Sequence, residues 1–201
     1  MTDAASALLQ HRLGYAEEFS ARSTPPLPLK KVGLLLNGLS LNGVQCTAWA
    51  PYLAGIRQID SWCRAQGLEL AVRCRQGQSL VELLSGSTGI TRETLLAGIN
   101  CSLQAFADSV DLCLMYDAPT NADIDFLRKG IPVVNPVPAP LGKAEAATAD
   151  TRVVPRDSVG GILALLDTFV ADSSNLHAFR LHQFADYVGL FRDSYALRQL
   201  L

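Results

Sequence analysis

No run of five like charges occurs in this chain, and no basic segment leads into an apolar stretch near its start. Seventeen Lys and Arg stand against nineteen Asp and Glu, a net charge of -2, so the electrostatic footprint of a nucleic-acid groove or an acidic-membrane patch is missing. Eighteen uninterrupted apolar residues are found nowhere, which excludes an obvious membrane-spanning helix. The opening MTDAASALLQHRLGYAEEFS carries acids early and does not read as a secretory signal, so a cytoplasmic address is expected. Cysteine is sparse: Cys46, Cys63, Cys74, Cys101 and Cys113 are odd in number and show neither CxxC nor Cys/His ligand spacing, as reduced thiols would. Histidine is sparser, with only His11, His177 and His182. The last two are five apart and off a common helical face, and the carboxylates of Asp123-x-Asp125 diverge on a helix, so no metal site is expected. GxGxxG and GxxxxGK[ST] are both absent, removing the dinucleotide fingerprint and the P-loop.

What is present is a chain of 201 residues, 49% hydrophobic and 18% charged, the size of one domain. At that length about 70% of the unfolded surface can be buried without staples or metals. Its apolar residues come in short runs. Lys31 to Asn37 (KVGLLLN), Val110 to Met115 (VDLCLM) and Ile131 to Val134 (IPVV) read as strands buried on both faces, with Leu68 to Arg73 a fourth and Arg152 to Val154 a short fifth. Between them lie helical patterns. Thr47 to Gln66 places Trp49, Tyr52, Leu53, Ile56 and Ile59 at three- and four-residue spacing, and Gly67 ends it. Ser79 with Glu82 suggests a capping box, and Thr91 a weaker cap for apolar positions continuing irregularly to Ala107. A helix is predicted from Thr120 to Lys129, another from Asp157 or Ser158 to about Val170, and one or two more over residues 175–200.

Alternation of buried strands and helices, with right-handed crossovers, implies an α/β fold: a Rossmann-like, doubly wound parallel sheet of about five strands with helices on both faces. Residues 1–30 fall outside that pattern, as a helical segment and a Pro-rich connector (STPPLPL), leaving 31–201 as the sheet domain. Ligands of such sheets sit at the carboxyl edge, so the loops after Asn37, Arg73, Met115 and Val134 are where chemistry is expected.

The segment DLCLMYDAPTNADIDFLRKGIPVVNP carries the strongest constellation. Free N–H groups and the positive dipole end near Thr120 and Asn121 suit a phosphate, while Asp125 can accept hydrogen bonds from a ribose hydroxyl pair. The same pattern is met by a plain cap at Thr120 and a solvated acid at Asp125. Arg73 and Arg75 stand at the end of the strand Leu68 to Arg73, the second in chain order, where a guanidinium can grip a diphosphate and stabilise its departure or lie along the surface. Asn37 and Gly38 give a loop that a ligand can approach closely, or a simple turn. Tyr116 and Asp117 follow the third strand and stand near a base or sugar by position alone. Ser79, Lys143 and Glu145 are further polar groups within reach of the same edge or free in solvent.

The offsets of Thr120, Asp125, Gly130 and Pro132 resemble the donor-binding half of the GT-B glycosyltransferases, in which a small hydroxyl residue, an acid and G-x-P precede an apolar strand. Asp125 stands where Glu is usual, and Pro119 where Gly is common. VVPRDSVGGILALLDTFV and the terminal stretch with His182, Gln183 and Tyr187 extend the likeness from about Lys31 onward. The resemblance implies a domain that binds a nucleotide-diphosphate sugar for metal-independent glycosyl transfer, as in bacterial polysaccharide biosynthesis. It implies no further cofactor, and an acceptor-binding domain or partner protein carrying the general base. A non-catalytic module that binds a nucleotide or sugar phosphate is the alternative.

Overall fold

The structure, a computed structural model, describes residues 26–36, 39–40, 43–44, 49–74, 78–117, 122–138 and 153–199, with backbone alone at 39–40, 43–44, 78–80 and 188–199. The predicted helical segment before residue 26 lies outside the described residues. In chain order the elements are β1 (Lys31–Leu36), β2 (Leu39–Ser40), β3 (Gly43–Val44), α1 (Trp49–Ala65), β4 (Glu69–Cys74), α2 (Gln78–Thr88), α3 (Arg92–Asn100) and α4 (Leu103–Asp108). There follow β5 (Leu112–Tyr116), α5 (Asp123–Arg128), β6 (Val133–Val137), β7 (Arg156–Ser158), α6 (Val159–Ala171) and α7 (Ser173–Gln199). Five strands form one sheet in the order β4-β1-β5-β6-β7, every pair parallel. The chain reverses its direction of travel across the sheet between β1 and β5, the switch point at which such sheets bind ligands.

The continuous apolar runs are explained by burial on both faces. Val32, Leu34 and Leu36 of β1 and Leu112, Leu114 and Tyr116 of β5 face one cluster, where they meet Tyr52, Ile56 and Ile59 of α1 and Ile162 and Leu166 of α6. Leu35, Cys113 and Met115 face the other, with Phe106 of α4 and Phe126 and Leu127 of α5. That alternation is the two-residue period of a strand. A Cβ on Gly33 would press Phe106 and Val110 at 3.1 Å, so the glycine lets α4 lie close to β1. Cys63, Cys74 and Cys113 are buried, and burial pushes the thiol of Cys63 up to about 12 and raises the other two.

The structure departs from the sequence reading at several elements. The segment predicted to run from Thr91 to Ala107 is two helices: Thr91 caps α3 by accepting from Thr94 N–H, and Ser102 caps α4 by accepting from Ala105 N–H. The irregular spacing of its apolar residues records that break. Ser79 is not the cap of α2, which starts one residue earlier, and Glu82 is turned to Arg92 at 2.8 Å rather than back to the helix start. Beyond β1, where only a loop is expected, Leu39–Ser40 and Gly43–Val44 form the small antiparallel pair β2-β3. The final strand lies at Arg156–Ser158, not at 152–154, and leads straight into α6, whose cap is Ser158. β6 runs on through Pro136, which is tolerated because the β5-β6 register pairs end at Val134 and leave no ladder bond for a proline to break.

At the outer edge, α3 lies against β4. Glu69 N–H points inward to Lys30 O, so by alternation the Val72 carbonyl points outward. A Cβ on Gly98 would collide with it. The other flank is held by α7. Gln183, 3% exposed, accepts from Val133 N–H at 2.8 Å and donates to Val133 O at 2.6 Å and Val153 O at 2.5 Å. Its amide takes the place of a strand where β7 has not yet begun. Arg180 adds a bond to Gly130 O.

Candidate functional site

All five parallel strands end on one edge, and the described polar side chains near it lie mainly on the face covered by α4 and α5. Arg73 is in register with Leu35, and Leu35 with Met115, both members of the cluster on that face. Asn135 lies two residues beyond Val133 of the same cluster and is in register with Arg156. Arg73 is half-buried and donates Nε to Cys101 O at 3.4 Å, toward the junction of α3 and α4. Arg75, Asn37 and Gly38 lie outside the described residues.

The end of β5 is more constrained than the sequence suggested. Tyr116 is fully buried and donates its hydroxyl to Tyr52 O at 2.7 Å, with the two rings edge-on at 4.8 Å. The expectation that Tyr116 meets a base or sugar gives way to a core role, because both its ring and its hydroxyl are used inside the protein. Asp117 is the residue that emerges. Its φ of 67° places it in the left-handed region, uncommon for a side-chain-bearing residue but several-fold enriched for Asp. It is held there by Asp117 N–H to Pro136 O at 3.0 Å and by Asn135 Nδ2 to Asp117 O at 3.2 Å. Burial raises the pKa of its half-buried carboxyl above the ordinary value, and the nearby Arg156 charge opposes the rise.

α5 begins later than predicted. It opens at Asp123, its N-cap is Ala122 with no side-chain cap bond, and Thr120 and Asn121 lie outside the described residues. Asp125 is therefore in the first turn rather than a turn and a half in, half-buried beside the core residues Phe126 and Leu127. Asp123 accepts from Ile124 N–H at 2.8 Å, yet burial, helped by the Asp125 charge, still raises its pKa. The two acids differ in use: Asp123 turns onto its own backbone, while the Asp125 carboxylate takes no hydrogen bond or ion pair from another of the described residues. By contrast, the opening of α6 is filled by its own chain. Gly161 N–H reaches Ser158 Oγ at 3.1 Å, Ser158 N–H reaches Asp157 Oδ1 at 2.6 Å, and the Asp157 carboxylate lies where a Gly161 side chain would go. A phosphate would there meet a carboxylate instead of free amides.

Sequence reasoning missed two groups at this edge. Asn135, 2% exposed, donates Nδ2 to the carbonyls of Met115 and Asp117, bracing the end of β5. Arg156 brings its charge beside Asp117 from the next strand. The available signal was a lone amide closing the apolar run IPVVN. Among the described residues no group of three or more His, Cys, Asp or Glu is placed to hold a metal, and no helix is long and apolar enough to cross a membrane.

No protein-family model and no curated protein matches the sequence. Among solved structures the chain is similar to the C-terminal domain of a glycosyl transferase group 1 family protein (LpcC) from Francisella tularensis. The identity is 10%, 87% of this chain and 91% of that one are covered, and the TM-score is 0.51. A GtfA/B complex matches at 11% identity over 84% of this chain and 37% of that one, with a TM-score of 0.41. The first likeness shows the fold: a Rossmann-like α/β layout of the kind found as the C-terminal domain of GT-B glycosyltransferases.

Proposed function

We propose that this chain binds a nucleotide-diphosphate sugar at the carboxyl edge of its sheet and serves as the donor half of a metal-independent glycosyltransferase, in bacterial glycan biosynthesis. Asp125 carries the reading: a half-buried acid in the first turn of the helix that follows the switch-point strand β5, on a fold shared with a glycosyltransferase domain. In this reading Asp125 accepts from ribose hydroxyls, and the amides near Thr120 and Asn121 hold the diphosphate. Arg73 and Arg75 supply positive charge as the diphosphate departs. Asn37 and Gly38 line the approach, and the acceptor with its general base comes from another domain or a partner protein. Tyr116 has no place in the site.

A thermal-shift panel of nucleoside diphosphates and nucleotide sugars is the first test, since a ligand that binds only the folded chain raises its melting point. Calorimetry on Asp125→Ala follows. Loss of its hydrogen bonds to the ribose weakens binding by about 1 to 3 kcal/mol, and an unchanged affinity removes Asp125 from the site. A non-catalytic nucleotide- or sugar-phosphate-binding module is the second reading. The uncapped six-residue helix favours it, because Ala122 offers a phosphate no side-chain donor at the helix start. Sugar transfer on adding an acceptor-domain partner decides for the enzyme, and binding without transfer for the module.

A further inference from the structure

Two buried polar atoms at the carboxyl edge have no hydrogen-bond partner among the described residues: Asn135 Oδ1 and Arg156 Nε. Leaving such an atom unsatisfied costs about 1 to 3 kcal/mol, and folded proteins ordinarily resolve it with an ordered water or a ligand. The two atoms belong together. Asn135 and Arg156 are register partners on β6 and β7, so their side chains leave the same face of the sheet from backbones about 4.8 Å apart. The Asn135 amide cannot turn over, because its nitrogen already serves the Met115 and Asp117 carbonyls. Its free end is thus an acceptor, and the free Nε of its register partner Arg156 is a donor.

The chemistry of the pair selects its ligand. An anion would face the amide oxygen and the Asp117 carboxylate, and an ammonium group would face the guanidinium. A neutral hydroxyl oxygen satisfies both atoms, donating to Oδ1 and accepting from Nε–H. Two hydrogen bonds of about 2.8 Å meeting at a tetrahedral oxygen require the two atoms to stand about 4.5 Å apart. We infer that Asn135 and Arg156 form a subsite for one neutral hydroxyl oxygen, filled by water in the free protein and by a hydroxyl of the glycosyl group when a nucleotide sugar binds. The second half rests on the function proposed above.

The test is nuclear magnetic resonance of the full chain labelled with nitrogen-15, observing the Arg156 Nε–H. A cross-peak to water is expected in the free protein, retained with UDP and lost with UDP-glucose. Its absence from the free protein overturns the subsite. If UDP-glucose shifts other resonances but leaves the cross-peak, the glycosyl half is overturned while the proposed function survives. If neither nucleotide shifts any resonance, the proposed function falls, taking the glycosyl half with it, and the water cross-peak alone supports the hydroxyl site. Arg156→Lys keeps the charge opposite Asp117 and deletes the Nε donor. It should lower UDP-glucose affinity about tenfold, the loss of one charge-assisted hydrogen bond, and leave UDP affinity within about twofold; equal losses for both probes overturn the assignment.

Discussion

Replacing Gln183 by leucine removes three hydrogen bonds at once, those to Val133 N–H, Val133 O and Val153 O. Each is worth about 1 kcal/mol net, and the Val133 groups would stay buried without partners, so the loss is about 3 kcal/mol or more. In a chain of this size each kcal/mol moves the melting temperature by about 2 to 4 °C, which puts Gln183→Leu about 6 to 12 °C below the parent in calorimetry. A fall of less than about 2 °C would falsify the view that this amide stands in for a missing strand. Gln183→Glu sharpens the test. Its carboxylate still accepts from Val133 N–H, but it donates nothing and faces two carbonyls, so its folded-state pKa is raised. A group shifted that way loses stability as pH climbs above the ordinary glutamate value of about 4.3. The deficit of Gln183→Glu should therefore be smallest in acid, where the protonated carboxyl recovers one donor, and largest at neutral pH. A deficit that does not change with pH refutes the geometry.

Other consequences are open to measurement. Because burial raises the Asp117 carboxyl, that residue opposes folding increasingly as pH rises through its titration. Asp117→Asn, which tolerates the left-handed backbone, should melt higher at pH 7 and lose its advantage toward pH 4; Asp117→Ala should melt lower, since alanine at φ 67° costs about 1 to 2 kcal/mol. Gly86→Ala meets nothing within 4 Å and should gain about 0.5 to 1 kcal/mol from helix propensity, whereas Gly98→Ala, driven into the Val72 carbonyl, should lose about 1 to 3 kcal/mol in urea titration. Cys63, Cys74 and Cys113 should resist alkylation at pH 8 until denaturant is added, as peptide mass spectrometry would show.

The layout of the sheet was legible because its signal is local. A strand covered on both faces is apolar throughout, as KVGLLL and LCLMY are, and glycine marked the ends of α1 and α5. The start of α5 was misplaced because a threonine ahead of an acid has the composition of a cap whether or not the helix begins there. Tyr116 read as a ligand group because an aromatic at a strand's end points either way, and only the carbonyl of Tyr52, 64 residues distant, decides it. Asn135, Arg156 and Gln183 share that difficulty. Their partners lie on neighbouring strands, for Gln183 as much as 50 residues away along the chain, and no spacing rule connects them.

α3 laid on the outward carbonyls of β4, and a glutamine side chain occupying the first half of the opposite flank, have a consequence for assembly. An incoming peptide or a second molecule finds no long unpaired ridge on which to continue the ladder at those places. Recruitment by strand addition is closed off at both places.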